Sequence, residues 1–223
     1  MCGLYSFRKS AEETRNLFNY VEEPDFPPRR YVTPSGPMAI VRMEQGGRHF
    51  ALVRWGFVPS WVKEVKPGKP LINARGETVV EKPSFRNAMK RRRCLIPADG
   101  FYEWKGDIPG KKQPYFIHRP DDRLFAFAGL WEHWMGADGS EIETSLIITT
   151  EPNRTIAAIH TRMPVVIAQE DFETWLGGEV REAAALMRPA ADDYFMAEPT
   201  RIERNAPPPR PELEKSVTQM KLF

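Results

Sequence analysis

Leu124 to Trp131 read LFAFAGLW, the longest unbroken apolar stretch of the chain. The stretch is far shorter than the ~20 residues that a helix needs to span a bilayer. Its length and aromatic content are typical of a strand inside a globular domain, and we predict that strand over Leu124–Ala128. We therefore expect a protein that has no membrane as a partner.

The rest of the chain consists of similarly short elements, because 21 prolines interrupt it. β-branched and aromatic runs predict further strands over Met38–Met43, Phe50–Phe57, Cys94–Pro97, Tyr115–His118, Ser145–Thr149 and Val165–Ile167. Apolar residues at helical spacing predict helices over Ala11–Val21, Ser84–Arg93, Arg154–Ile159, Glu170–Leu176 and Val180–Met187. Regular βαβ alternation is missing, so we expect an α+β fold with a curved, mainly antiparallel sheet. The proline-rich segment 206–211 predicts one domain over residues 1–211 and a tail over 212–223.

Composition describes an ordinary globular protein. The 223 residues include 32 Lys plus Arg against 30 Asp plus Glu, a net charge of +2, with 41% hydrophobic and 28% charged residues. These values exclude disordered and collagen-like chains, and the chain lacks a secretion signal, so we expect a cytoplasmic protein. A charge near zero also argues against coating of nucleic acid by bulk electrostatics, although a local basic patch stays open.

Two cysteines occur, Cys2 and Cys94, and neither has a partner at metal-ligand or C-x-x-C spacing. We expect no disulfide, no metal and no cofactor. Removal of Met1 would leave Cys2 with a free α-amine and a thiol, a 1,2-aminothiol whose two groups are both partly reactive near neutral pH. Such a pair closes a thiazolidine ring on an aldehyde, or its thiolate is acylated by an amide carbonyl. From this residue alone, the start of a strand is the simpler interpretation.

Three further clusters carry polar chemistry. In PLINARGE, residues 70–77, an extended backbone would place Asn73, Arg75 and Glu77 on one face, either as a ligand site or as a structural Arg75–Glu77 pair. In ADGFYEWK, residues 98–105, Glu103 lies among aromatic residues, where a carboxyl tends to have a raised pKa, or it simply faces solvent. In IHTRMP, residues 159–164, His160 follows a predicted helix, and a lone histidine is more often structural.

The basic run Lys90–Arg93 at a helix end is typical of a solvated face that complements the helix dipole. Together with Lys82, Arg86 and Arg75 it could also follow a phosphate backbone. Aromatic residues in RWGFVPSW, residues 54–61, would then supply a stacking surface for bases.

The order of these motifs is more specific than any one of them. An initial MCG is followed by WGFVPSW, NARGET, RRRCLIPADGFYEWK, FAGLWE, IITTEPN and IHTRMP. This series resembles the SOS response-associated peptidase (SRAP) family of abasic-site-processing proteins, densely from Cys2 to about Ile167 and more loosely to about residue 213. The resemblance implies one compact domain with a β-barrel-like core, short helices and a positively charged DNA groove.

The resemblance also implies a reaction, in which Cys2 forms a thiazolidine with the ring-opened aldehyde of an abasic site in single-stranded DNA. Asn73 would hydrogen-bond near the crosslink, Glu103 would shuttle protons, and His160 would assist ring opening or reversal. We expect lyase-like and autopeptidase activity within the DNA damage response, close to the nucleoid. The implied DNA contacts are Arg75, Arg162, Trp61, Pro34 and Met163.

Two departures from the family pattern concern DNA contacts. Leu4 stands where the family usually has arginine, and Arg30–Pro34 reads RYVTP, without the usual asparagine before proline. The reactive set is unaffected by either change.

The last five residues, QMKLF, look like the short peptide by which bacterial DNA-handling proteins dock on the sliding clamp. Gln219, Met220, Leu222 and Phe223 would make that contact. One reactive lesion per chain is compatible with a monomer.

Two other functions stay open. An N-terminal-cysteine hydrolase, either an autopeptidase or amidotransferase-like, would use Cys2 as acyl nucleophile and its own α-amine as base. A non-catalytic single-strand binder would need the basic and aromatic residues but not Cys2.

Overall fold

The computed structural model describes residues 2–203 apart from 23, 25, 66, 67 and 109. Its strands are β1 Tyr5–Phe7, β2 Arg29–Val32, β3 Pro37–Glu44, β4 Gly47–Trp55, β5 Asn73–Arg75, β6 Arg93–Ala98, β7 Gly100–Lys105, β8 Gln113–His118, β9 Phe125–Met135, β10 Glu141–Thr150, β11 Met163–Pro164, β12 Val166–Ile167 and β13 Met196–Pro199. The α-helices are α1 Ala11–Phe18, α2 Gly76–Val79, α3 Arg86–Arg91, α4 Arg154–Ala157, α5 Phe172–Gly177 and α6 Val180–Ala185, and a 3₁₀ turn covers Gln169–Asp171.

Five strands close a barrel in the order β4, β3, β6, β9 and β10. Antiparallel pairing joins each neighbour, and a parallel pairing of β10 with β4, through Thr144–Arg54 and Ser145–Trp55, completes the circle. A second, antiparallel sheet has the order β13, β8, β7, β1 and β2. The prediction of an α+β fold with a mainly antiparallel, barrel-like core and short helices is therefore confirmed.

The apolar stretch of β9 is buried on both faces. Phe125 and Phe127 belong to a hydrophobic cluster shared with the second sheet, whereas Ala126, Ala128 and Leu130 belong to a cluster shared with the helices. A strand enclosed on both faces has no polar alternation, which explains the unbroken run. Gly129 sits where strands approach closely, because a Cβ there would lie 2.6 Å from Ile96 Cδ1 and 2.9 Å from Cys94 Sγ.

Each predicted strand and helix overlaps an observed element of the same kind, although several ends differ, and Arg93, predicted at a helix end, begins β6. Helix α1 stops at Phe18 instead of Val21 because Asn19 adopts a left-handed conformation, with φ of 50°. Residues 70–77 do not meet the condition of a continuous extended backbone, since α2 begins at Gly76. Glu77 therefore lies on a helix and does not share a strand face with Asn73 and Arg75.

Within the described part of the chain, no helix combines the length and the apolar character needed to cross a membrane. The proline-rich segment 206–211, the tail 212–223 and the QMKLF peptide fall outside the described residues.

Candidate active site

The pairing of β1 with β7 brings the amino-terminal residues beside Glu103. Tyr5 pairs with Phe101, and the Tyr102 N–H donates to the Leu4 carbonyl at 2.9 Å. Both Cys2 and Glu103 are buried, at 1% and 2% exposure. Burial raises the pKa of the Cys2 thiol well above its usual range, and the negative charge of Glu103 raises it further. The thiol is therefore protonated at neutral pH.

Asn73 joins this pair from the barrel side. Strand β5 runs parallel to β10, with Asn73 opposite Ile147, and this pairing fixes the asparagine at the barrel edge. Its Nδ2 donates to the Cys2 carbonyl at 2.9 Å. Its Oδ1 is buried and accepts no hydrogen bond from the described residues. Asn73 thus anchors residue 2 and offers a buried acceptor beside it.

Glu103 has the electrostatic character of an acid–base group. It stands two residues after Phe101 on β7, so both side chains point into the apolar interface between the sheet and the barrel. Burial raises the pKa of its carboxyl to about 7. The carboxyl therefore holds and releases a proton at physiological pH, as the aromatic surround predicted.

His160 completes the cluster from the turn after α4. Its Nδ1 accepts from the Arg162 backbone N–H at 3.0 Å and also lies 3.2 Å from the Arg162 carbonyl oxygen, so residue 162 fixes the orientation of the ring. Nε2 lies 3.8 Å from Oε2 of Glu103. Burial lowers the pKa of the imidazole, which is therefore neutral at pH 7. Cys2, Asn73, Glu103 and His160, far apart in sequence, meet in one place.

The Arg162 side chain turns away from His160 towards α2. Its Nη1 and Nη2 donate to the two carboxylate oxygens of Glu77 at 2.6 and 2.8 Å, and Nη2 also donates to the Thr149 carbonyl at 2.7 Å. These bonds lower the pKa of Glu77. The proposed Arg75–Glu77 pair is therefore replaced by an Arg162–Glu77 pair between residues 85 positions apart, which no local pattern could reveal.

The other predicted DNA contacts have different surroundings. Arg75 and Trp61 are exposed, with 64% of Trp61 accessible, and Pro34 is half-buried. Met163 is fully buried, and its sulfur accepts from the Asn153 N–H at 3.2 Å. A DNA contact by the Met163 side chain does not fit this position, because β11 points it into the core.

The basic run at the end of α3 does not form one surface. Lys90 and Arg91 are exposed, but Arg92 pairs with Glu132 at 2.8 Å. Arg93 is buried, and its guanidinium donates to backbone carbonyls of Met89, Trp175 and Gly178. The interpretation of the run as one solvated face is therefore wrong for Arg93, and the alternative of a phosphate-binding surface made by all four residues does not fit either.

Among the described residues, no group of three or more His, Cys, Asp or Glu side chains is arranged to hold a metal ion. What the cluster offers is a buried thiol, a proton-transfer carboxyl, a neutral imidazole and a buried amide acceptor. Such a set suits carbonyl chemistry, in which protons move between a nucleophile, an oxygen and a nitrogen.

Comparison with known proteins identifies the family. The family model described as SOS response associated peptidase (SRAP) matches residues 1–204. This chain belongs to the SRAP family. The match covers the whole described domain and includes each of the four clustered residues. It confirms the family that the motif order predicted.

Relatives of this SRAP domain carry names that state a function. The abasic site processing protein YoqW of Bacillus subtilis is 40% identical over 179 residues, covering 79% of this chain and 80% of that protein. The abasic site processing protein HMCES of Gallus gallus is 36% identical over 194 residues, covering 72% of this chain and 57% of that protein.

Solved structures share the fold of this SRAP domain. A Bacteroides thetaiotaomicron protein has a TM-score of 0.79 and 26% identity, covering 90% of this chain and 92% of its own. A Bordetella bronchiseptica protein has a TM-score of 0.78 and 26% identity, covering 90% of this chain and all of its own.

Proposed function

We propose that this chain captures abasic sites in single-stranded DNA by forming a thiazolidine through Cys2 after removal of Met1, and so shields the lesion from strand cleavage. The observation that carries the proposal is the convergence of Cys2, Asn73, Glu103 and His160, with a carboxyl of pKa about 7 at the centre. The names of the relatives, abasic site processing proteins, support the choice of substrate.

The first step joins nitrogen to carbon. The α-amine of Cys2 adds to the aldehyde carbon of the ring-opened sugar and gives a carbinolamine. Protonated Glu103 then transfers its proton to the carbinolamine hydroxyl, which leaves as water, and an iminium ion remains beside the Glu103 carboxylate. A group with a pKa near 7 suits this step because it is substantially protonated at neutral pH, yet it gives up its proton readily.

The second step joins sulfur to the same carbon. The Glu103 carboxylate removes the thiol proton of Cys2, and the sulfur attacks the iminium carbon to close the five-membered ring. Nitrogen keeps its proton, Glu103 is restored to its protonated form, and one water has been released in total. No oxidant or reductant is needed, because the carbon exchanges one C=O bond for one C–N and one C–S bond.

Asn73 and His160 assist these steps. Asn73 holds the Cys2 carbonyl, and its buried Oδ1 can accept from the amine or from a sugar hydroxyl. In the tautomer in which Nδ1 accepts from the Arg162 N–H, neutral His160 carries its proton on Nε2, which can donate a hydrogen bond to the ring oxygen of the sugar as the ring opens. The same proton, directed towards Glu103, can stabilise the carboxylate that forms in the first step.

The state of the thiol favours this reaction over the hydrolase alternative. Acyl transfer to Cys2 requires a thiolate, which burial and the neighbouring Glu103 both disfavour. Ring closure instead begins with the amine, and the thiol needs to lose its proton only when an iminium carbon is next to it. Exposed Arg75 and Trp61 are the proposed contacts for the DNA backbone and bases.

The test uses one abasic site. The protein is mixed with a single-stranded oligonucleotide containing that site, and with the intact oligonucleotide as control, and both are run on a denaturing gel. We expect a covalent band with the abasic strand alone. A variant with an extra residue before Met1, in which Met1 is not removed, should give no band. Equal non-covalent binding to both strands without a band would support a simple single-strand binder. Ammonia release from glutamine would support the hydrolase.

Docking on a sliding clamp through the QMKLF peptide stays a separate prediction. Deletion of residues 219–223 should abolish binding to purified clamp and leave crosslinking unchanged. Unchanged clamp binding would exclude that role for the peptide.

A further inference from the structure

Glu77 forms an ion pair with the guanidinium of Arg162. Its two carboxylate oxygens accept from Nη1 and Nη2 at 2.6 and 2.8 Å, a bidentate arrangement that also suits a phosphate. The second Nη2 bond, to the Thr149 carbonyl, leaves Arg162 with few donors for a further ligand. The side chains of Arg162 and Glu77 are 17% and 48% exposed, so an incoming anion would reach the guanidinium by displacing the Glu77 carboxylate.

The pair lies close in sequence to residues of the proposed reaction centre. Arg162 is two residues from His160, and Arg75 is two residues from Asn73, so both arginines border the cluster. Glu77 follows Arg75 and feels its positive charge, which lowers the pKa of the Glu77 carboxyl along with the Arg162 bonds. Glu77 is therefore ionised at neutral pH and competes with phosphate for the same donors.

We propose that Glu77 determines the specificity of this site. It does so by keeping Arg162 from binding the phosphates of an undamaged strand. This inference rests on the proposed function, since it assumes that a single-stranded DNA reaches Cys2. Every phosphate contact stabilises damaged and intact strands equally and so adds affinity without discrimination. A carboxylate that weakens one such contact lowers the affinity for an intact strand. Lasting attachment then depends on the covalent bond, which only the lesion can form.

The experiment measures binding of an intact single-stranded oligonucleotide to full-length wild-type protein and to Glu77→Gln by fluorescence anisotropy over a series of salt concentrations. We expect Glu77→Gln to bind roughly 3- to 10-fold more tightly at low salt, because a freed guanidinium gains one phosphate contact. The plot of log affinity against log salt should steepen by about 0.7, the value for one phosphate of a single strand.

A matched control separates this effect from net charge. Glu173 makes a similar surface pair with Arg48, at 2.6 Å to Nη2 and 3.1 Å to Nε, and lies on α5, apart from the cluster. Glu173→Gln makes the same change in charge and should leave the affinity within about twofold, as expected of a screened distant charge. An equal gain in both variants, or weaker binding by Glu77→Gln, would overturn the inference.

A double variant tests the route. In Glu77→Gln with Arg162→Gln, the gain should disappear, and the affinity should fall to that of Arg162→Gln alone. A gain that persists would show that Glu77 does not act through Arg162, and would also overturn the inference. Thermal unfolding of each variant shows that the compared proteins are folded.

The outcome is distinguishable from failure of the proposed function. Crosslinking to the abasic strand by wild-type protein tests the function, whereas affinity for the intact strand tests the role of Glu77. Crosslinking together with unchanged intact-strand affinity in Glu77→Gln rejects this inference alone.

Discussion

The two cysteines lie in two different kinds of interior. Cys94 is in the barrel wall, with its sulfur 3.6 Å from Ser145 Oγ and tightly packed against Gly129. Cys2 is equally buried, but its neighbours are the carboxyl of Glu103 and the amide of Asn73. Burial raises the pKa of both thiols, that of Cys94 to about 12. The pKa of the thiol therefore does not distinguish the two cysteines, whereas the polar groups beside Cys2 do.

The largest expected effect follows from replacing each of the two cysteines with alanine. Cys2→Ala should abolish the covalent band with an abasic strand, because no sulfur remains to close the ring. Cys94→Ala should leave the band unchanged while lowering the free energy of unfolding by about 1 kcal/mol through lost packing. Denaturing gels and thermal unfolding measure the two results. A covalent band that survives Cys2→Ala at the wild-type rate would mean that another nucleophile reacts.

Next in size is the loss of the proton-transfer group. Glu103→Gln should slow crosslinking by roughly 10²- to 10⁴-fold, the usual effect of removing a general acid–base. Glu132 is the control, because its carboxyl is about as buried as that of Glu103 but pairs with Arg92. Glu132→Gln should cost stability without slowing the reaction in single-turnover kinetics. Equal rates for wild type and Glu103→Gln would remove Glu103 from the mechanism.

The same carboxyl makes stability depend on pH. Its pKa is about 7 in the fold against 4.5 as the ordinary value, so the folded state holds the proton more tightly. The resulting stabilisation is complete below about pH 4.5 and is lost as the pH rises through about 7. The free energy of unfolding of Glu103→Gln, measured by urea unfolding relative to wild type, should therefore rise by about 2 kcal/mol between pH 5 and pH 8. A constant difference across this range would show that the carboxyl does not titrate there.

The smallest expected effect concerns hydrogen bonds beside each thiol. Asn73→Ala removes the bond to the Cys2 carbonyl and should slow crosslinking by about tenfold, in line with one hydrogen bond. Ser145→Ala removes the bond from Ser145 Oγ to the Leu130 carbonyl beside Cys94 and should alter only the free energy of unfolding. Single-turnover rates and urea unfolding measure both, and a slower reaction in Ser145→Ala would show that the two regions are coupled.

Much of the barrel was predictable because its strands are long and apolar. Strand β9 is buried on both faces, so its sequence carries a strong signal. The missed strands are short or lack alternation. All three residues of β1 are buried. The buried hydroxyl of Ser6 is stabilised there by a hydrogen bond that it donates to the buried Asp99 at 2.5 Å. Strand β13 is an exposed edge with a weak pattern.

The four residues of the candidate site were selected from the motifs, but their neighbours were not predicted. Pairing between Arg162 and Glu77 spans 85 positions and depends on where α2 begins. The burial of Arg93 depends on hydrogen bonds to carbonyls at the end of α5, which come close to it only in the folded protein. A motif records which side chains are present, whereas their partners are set by tertiary packing.

The place of β1 in the second sheet has a consequence for the time course of folding. Residues 2–7 contact β7, which lies nearly a hundred positions later in the sequence, and Asn73. His160, which approaches Glu103, lies later still in the sequence. Contacts of such large sequence separation form slowly. If Cys2 and Glu103 act as proposed, a newly made chain carries its nucleophile long before the proton-transfer group lies beside it, and we expect full reactivity only when the last third of the domain has folded.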